Sequence, residues 1–531
     1  MPVRKSLADE RGFTMIMTTI GLSMVAVIAL VAVAAVSGDT NPTGRDLQRK
    51  RAYEAAKAGI NDYSFHLHAD NGYWAKCTKV DSPSAVNQPG STANRRQVPG
   101  DSGASYAIEL LPANDAPACD PTTLATATQT MLESLGSSKG TFRIRSTGFV
   151  GKTQVSITAM FRPSSFLDYV YFTQLETSDP ATYGSESAIK GAYEQCSKTL
   201  LEGRNDAKIP NSGGQYCRVI SFVSGDSING PLHTNDALVI CGKPDFGRSP
   251  SDAVEVSSPP KGWYQTSEVP HSGSSCSGSP HFVGTYLTNS PALIPPATNE
   301  QLAKIAEPSF KYEGQVHICL SGSSMTVARK GTNCDSEVLY SGPLPGNGVV
   351  YVSSTLCSGA YSPFEVTYPE TSTCGNAYVH GSYSGQLTIA TSNDIIIDSD
   401  TTASADEAML GLIANNFIRI YHPFKNVVVN KWTGQTECQN SSGSVSDLEI
   451  DAAILAINHS FVVDNYDCGD SLGTLKVTGA ISQKYRGAVG TTGGTGYLKS
   501  YNYDDRLHTI TPPSFIQPVE SDWVIGRETV G

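Results

Sequence analysis

The stretch Ser384–Asp400, SGQLTIATSNDIIIDSD, sets two short apolar runs, Leu387–Ala390 and Ile395–Ile397, on either side of the corner Asn393-Asp394. Three other stretches repeat the arrangement: INGPLHTNDALVICG (228–242), MLGLIANNFIRIYHP (409–423) and DAAILAINHSFVVDNY (451–466). Their corner asparagines are Asn235, Asn393, Asn415 and Asn458. Asparagine tolerates the left-handed backbone of a tight corner, and its amide can bond the matching corner of the next coil. Asn393 and Asn415 lie 22 residues apart, and Asn415 and Asn458 43, close to two such steps. A period near 22 with two or three short strands per turn predicts a parallel β-solenoid. GTLKVTGAISQKYRG (473–487) supplies one more coil. A large β-sandwich, with Asn and Gly at its corners, is the competing architecture.

Outward from these coils, the span from Asn235 to Asn393 must hold a coil or two plus long excursions, placed as an insertion at about 242–385. Six of the 12 cysteines fall there, as expected of stapled loops. The cysteines are even in number and none forms a C-x-x-C pair, so zinc is not indicated and an oxidised, extracytoplasmic chain is. Pairing of sequence neighbours, 77 with 119, 196 with 217 and so on, is the simplest connectivity. Free buried thiols are the alternative. After the coils comes GYLKSYNYDDRLHTITPPSFIQP (496–518). An open solenoid end needs a cover, and Tyr497, Tyr501 and Tyr503 with the pair Asp504 and Arg506 are the candidate C-terminal cap. A ligand platform made of those tyrosines is the other reading.

Towards the N-terminus the pattern is different. SYAIELLPA (105–113) and TFRIRSTGFVGKTQVSITAMFR (141–162) alternate as antiparallel strands, the second folding about a turn. The polar segment 82–105 reads as a loop. Before it, Ala52, Ala55, Ala56, Gly59, Ile60, Tyr63 and Leu67 recur at helical spacing on one narrow face. A helix beside a few strands is a sound layered head. The net charge of −12 is spread thinly with no basic block, so no nucleic-acid partner is expected.

The N-terminus reads RGFTMIM (11–17) and opens 24 uncharged residues, Phe13–Val36. As a helix these span about 36 Å, enough for a bilayer core. Arg4, Lys5 and Arg11 precede them and orient the rest of the chain outward. A cleaved secretory signal with Ala32-Val33-Ala34 as its site, and a plain uncleaved anchor, are the rivals. The junction resembles the prepilin signal of type IV pilins, in which a basic leader ends in Gly and is cut before Phe. The resemblance implies processing between Gly12 and Phe13 by a prepilin peptidase, N-methylation of Phe13, and a membrane helix kept for filament packing. AAKAGI (55–60) is similar to the same region of PilX-type pilus assembly proteins and K-type pseudopilins. The tail Tyr497–Leu507, followed by Pro512-Pro513, resembles the end of large PilX-type proteins. Most pilins carry Glu at the fifth mature position. Here it is Met17, a departure that resembles K-type tip subunits, which have no subunit ahead of them to neutralise.

The fold class expected is therefore α+β: a long N-terminal transmembrane/pilin helix, a small antiparallel pilin-like head, and a large C-terminal all-β domain read as a parallel β-solenoid with loop insertions. The boundaries are a leader at 1–12, the membrane helix at 13–36, a linker and continued helix at 37–72, the head at 73–165 and the β domain at 166–525. By the resemblance, Met17, Ala52, Ala55, Ala56, Gly59, Ile60 and Tyr63 pack against other pilin or pseudopilin subunits. Catalytic signatures are weak. GDSG (100–103) lacks the context of a protease nucleophile, and GDSLG (469–473) sits between strands instead of between strand and helix. Asp394, Asp398, Asp400, Asp406 and Glu407 read as acidic corners, and His233 and His459 as surface residues beside corners. No catalytic, cofactor or metal residue is expected. The function implied is a non-catalytic minor pilin or pseudopilin at a filament tip, anchored in the bacterial cytoplasmic membrane, with a surface or glycan ligand as a further partner. A membrane-anchored β-helix polysaccharide-degrading enzyme, or a carbohydrate-binding surface protein, is the alternative.

Overall fold

The computed structural model describes residues 44–67, 73–75, 95–111, 132, 141–273, 275–357, 372–430, 435–491, 493–519, 521 and 523–531. Gly12, Phe13, Met17 and the expected transmembrane segment Phe13–Val36 lie outside them, as do Cys77 and Cys119. The described chain is mainly β, which corrects the α+β expectation. Its α-helices are confined to residues 44–67, Glu186–Cys196 and Glu300–Ile305. No helix among the described residues is long and apolar enough to cross a membrane. The physical reason is the weight of period-2 and short apolar sequence after Leu67, which gives strands nearly everywhere.

Two units divide the chain: residues up to Pro163 with Trp523–Gly531, and Ser164–Asp522. In the first, the helix at 44–67 packs on an antiparallel sheet in the order Arg96–Val98, Asp101–Leu111, Phe142–Val150, Thr153–Pro163, Trp523–Val530. The alternation of Thr153–Pro163 buries Val155, Ile157, Ala159 and Phe161 on one face. The segment expected as a loop at 82–105 instead ends in a hairpin about Pro99-Gly100, where Gly100 takes φ +83°. Trp523–Val530 pairs with Thr153–Pro163, so the whole second unit is an insertion between two neighbouring strands of this sheet.

The second unit is a stack of parallel coils. One ladder runs in spatial order through Lys311–Glu313, Val349–Ser353, Gln386–Thr391, Met409–Ala414, Glu449–Ala456 and Ser471–Tyr485. It continues through Tyr171–Leu175, Leu232–Thr234, Val254–Val256 and Tyr286–Thr288. Its register aligns Val350, Ile389, Leu412, Ile454, Ile481, Tyr171, Leu232, Val254 and Tyr286 in one column, an apolar core built by repetition. A second face stacks Val316–Gly322, Ala377–Tyr383 and Ile395–Ala403 in parallel. The same face continues from Ile395–Ile397 through Ile418–Ile420 to Phe461–Val463.

Order in space is not order in sequence. The chain joins the stack at its middle, with Tyr171–Leu175, and builds outward to Tyr286–Thr288. It then crosses to the far end and returns coil by coil until Ser471–Tyr485 closes on the first strand. The crossing is made by the strap Leu293–Asn299, described below. Disulfides join Cys196–Cys217, Cys241–Cys276, Cys319–Cys334, Cys357–Cys374 and Cys438–Cys468, each a pair of sequence neighbours.

Candidate functional site

Ala52, Ala55, Ala56, Gly59, Ile60 and Tyr63 are all brought to one face of the first helix, and that face lies on the chain's own sheet. The five residues other than glycine are at most 1% exposed. A Cβ at Gly59 would meet Ser146 Oγ at 2.3 Å, and one at Gly148 would meet the Ala52 carbonyl oxygen at 2.0 Å. Small residues here let helix and sheet backbones touch. Ion pairs fix the helix further: Arg51 to Asp101 at 2.7 Å, Arg96 to Asp62 at 2.9 Å, and Lys57 to Glu528 on the returning strand. Leu47 and Phe65 on the same helix are exposed.

The corner asparagines divide between two tasks. Asn393 donates to Asn376 Oδ1 at 2.7 Å and accepts from Asn416 at 2.7 Å, a ladder linking three coils. Asn416, not its neighbour Asn415, supplies that rung. The others hold the strap. Asn235 exchanges both amide bonds with the Leu293 backbone at 2.6 and 3.0 Å. Asn458 donates to the Ala297 carbonyl at 3.4 Å, and Asn415 accepts from Asn299 N–H at 2.9 Å. Asn299, missed in the sequence, returns the grip by donating to the Thr391 and Ile413 carbonyls at 2.8 and 3.1 Å. Its only sequence signal was a polar residue closing the proline-rich run PALIPPATN.

Tyr497, Tyr501 and Tyr503 are buried on Gly496–Tyr503, a strand between Ser471–Tyr485 and Ser227–Asn229 and therefore inside the stack. Asp504 and Arg506 do pair, at 2.6 Å. Pro512, Pro513 and Phe515 then lie along Gly348, Thr388 and Gly411, with the Thr388 hydroxyl donating to the Pro513 carbonyl at 2.6 Å.

Where the incoming and closing strands meet, the stack buries charge. Arg486 Nη1 donates to Glu176 Oε2 at 2.9 Å with both side chains at most 1% exposed. The guanidinium also lies 3.5 Å over the Phe222 ring. Arg204 pairs with Asp236, itself accepting from Glu176 N–H at 2.9 Å. Lys499 reaches both Asp226 oxygens at 2.8 and 2.9 Å. Burial pushes the Glu176 carboxyl up and the Lys499 ammonium down, against the pull of their partners. Three acids and three bases balance, a lock between coils distant in sequence.

The acids singled out in the sequence do not converge. Asp394 is buried, accepts from Phe417 N–H at 3.0 Å and faces Arg419 at 3.4 Å, and burial raises its carboxyl above the usual range. Asp398 holds His380 at 2.7 Å, and Asp400 accepts from Glu449 N–H at 2.9 Å. His233 pairs with Glu255 and His459 with Asp179, each at 3.0 Å. Ser471 Oγ accepts from Gly473 N–H at 3.2 Å, as a turn residue does. Among the described residues no group of three His, Cys, Asp or Glu side chains could hold a metal ion.

One open groove of about 890 Å³ stands out on the second unit. Its floor is the outward face of the coils, where His317 and Tyr378 pair in register and stack at 4.5 Å. Tyr421 stands edge-on to Tyr378 at 6.3 Å. The hairpin Ser324–Lys330 with Ser336–Pro343 contributes Arg329, Lys330 and Glu337 to the lining, and Thr355 and Ser372, each two residues before a cysteine of the Cys357–Cys374 disulfide, complete it. Gly314, at φ +72°, admits Ser372 to a distance where a side chain would clash. Burial raises the Tyr378 phenol, and the hydrogen bond that His380 donates to Asp398 raises His380.

No family model and no curated protein matches the sequence. Among solved structures, the chain is similar to the crystal structure of the competence-associated pilin ComZ from Thermus thermophilus at 12% identity. That match covers 91% of this chain and 97% of the other, with a TM-score of 0.26. A likeness at that score carries no argument, and none is drawn from it.

Proposed function

We propose that this chain is a non-catalytic minor pilin or pseudopilin of a type IV pilus-like or type II secretion-like filament, anchored in the cytoplasmic membrane and working at the filament tip. The observation that carries the reading is the first unit. Its helix lies along a small antiparallel sheet, and in the sequence it comes seven residues after an apolar segment of membrane-spanning length that opens at a prepilin-like junction. Size argues for the tip: some 360 residues inserted between two strands of the head would crowd a repeating shaft. Because the small-residue face of the helix is taken up by its own sheet, contacts of this segment with neighbouring subunits fall to its other face, where Leu47 and Phe65 are exposed. The separate partners of Asp394, Asp398 and Asp400 favour the non-catalytic reading over a polysaccharide-cleaving one, which needs two acids flanking one bond.

Mass spectrometry of the mature N-terminus tests the proposal. The expected result is a chain that begins at a methylated Phe13. A chain that begins at Met1, or after Ala34, overturns it. Met17→Glu is expected to disturb tip placement more than membrane insertion, read by immunogold labelling of filaments against membrane fractionation.

A further inference from the structure

The groove on the stacked coils has a lining of a particular chemical kind. Its aromatic floor, His317, Tyr378 and Tyr421, offers π-faces and edges to apolar C–H groups. Around it stand neutral hydrogen-bonding side chains: Gln315, Thr332, Thr355 and Ser372. The charged members are of both signs, Arg329 and Lys330 beside Glu313, Glu337 and Asp398. Lys330 pairs with Glu337 at 2.9 Å, Asp398 with His380 at 2.7 Å, and Arg329 spends its guanidinium on the Glu313 and Gln315 carbonyls. A polyanion needs an uncompensated run of cations, which this arrangement does not provide. An acyl chain needs an apolar wall, and this wall is hydroxylated. The volume of about 890 Å³ lies in the range of about 300–1,000 Å³ for small-molecule sites and has room for more than one ring.

We propose that this groove binds a neutral oligosaccharide. A sugar ring combines an apolar C–H face, which matches the aromatic floor, with equatorial hydroxyls that the amide and hydroxyl side chains can pair. The small number of fixed polar groups would orient the chain, while stacking supplies most of the affinity. This deepens the filament-tip role proposed above, giving the tip subunit a class of ligand. The two readings fail separately, since one rests on the mature N-terminus and the other on binding.

The test is binding of the purified full chain in detergent to an array of neutral glycans, alongside oligogalacturonate and a single-stranded DNA oligomer as charged probes. Hits are measured by calorimetry. The expected result is saturable binding of a neutral glycan and none of the charged probes. Tyr421→Ala and Gln315→Ala should each weaken binding about tenfold while the melting temperature stays within a degree or two of wild type. Tyr378→Phe, which keeps the ring, should bind within about threefold of wild type. No neutral glycan bound, charged probes bound in preference, or affinity unchanged in both Tyr421→Ala and Gln315→Ala would overturn the assignment.

Discussion

Arg486 and Glu176 are fully buried beside Phe222, and what such a pair contributes depends on how it is removed. Taking one partner away strands a charge without water and costs about 3–5 kcal/mol. Replacing both with apolar residues of similar volume is often neutral or better. Arg486→Met alone is therefore expected to lower unfolding stability by about 3–5 kcal/mol in urea, and Glu176→Leu/Arg486→Met to recover most of the loss. If the double variant is no better than the single, the pair is not acting as a closed unit. His380 gives a milder effect with a definite sign. Asp398 raises its pKa above the ordinary 6.5, so its share of stability is complete below that value and is lost as pH rises through the folded-state pKa. NMR titration of His380 should show the elevated midpoint, and Asp398→Asn should bring it down. Neither residue was legible as a partner in the sequence. Arg486 lies 310 positions from Glu176, and nothing local to either marks the other.

At the scale of elements, periodicity announced the helix and its face, because a 3.6-residue repeat of small and apolar positions is a local signal. What that face touches was not local. Ala52 and Gly59 read as packing surfaces for another subunit, yet Gly148 and Ser146 of the same chain fill the space. Gly148→Ala should push the Ala52 backbone away and cost about 1–3 kcal/mol, with faster amide exchange across residues 44–67 as the measurement. The strap behaves as a second kind of element, held through side-chain amides instead of a ladder. Asn299→Ala removes two donors from buried carbonyls and is expected to cost about 1–3 kcal/mol, with proteolysis appearing first between 289 and 299. The corners Asn393, Asn415 and Asn458 were visible because each stands between two apolar runs. That Asn415 and Asn458 serve the strap depends on where a distant segment passes, which no spacing encodes.

At the scale of the whole molecule, the C-terminal strand Trp523–Val530 completes a sheet begun some 400 residues earlier. Trp523 packs 4.8 Å from Phe142, and Glu528 meets Lys57. Removing residues 523–531 should open amide exchange in Thr153–Pro163 and the helix at 44–67 while protection in the coils persists; uniform loss throughout would contradict the division into units. The parallel coils were half legible. Repetition fixes a local strand-corner-strand pattern, but stacking order depends on pairings between strands of similar composition. Ile481 opposite Tyr171 has no sequence mark. That pairing also governs how the protein is made. A strand inserted at the middle of a stack gains one neighbour, Leu232–Thr234, within about 60 residues of synthesis, and the other only after residue 481. The stack therefore cannot assemble in step with emergence from a ribosome. Its first strand waits, edge exposed, until residue 481 is present, so folding is governed by long-range closure and is slow. A chaperone that shields Tyr171–Leu175 during synthesis would speed maturation far more than one that acts on the later coils.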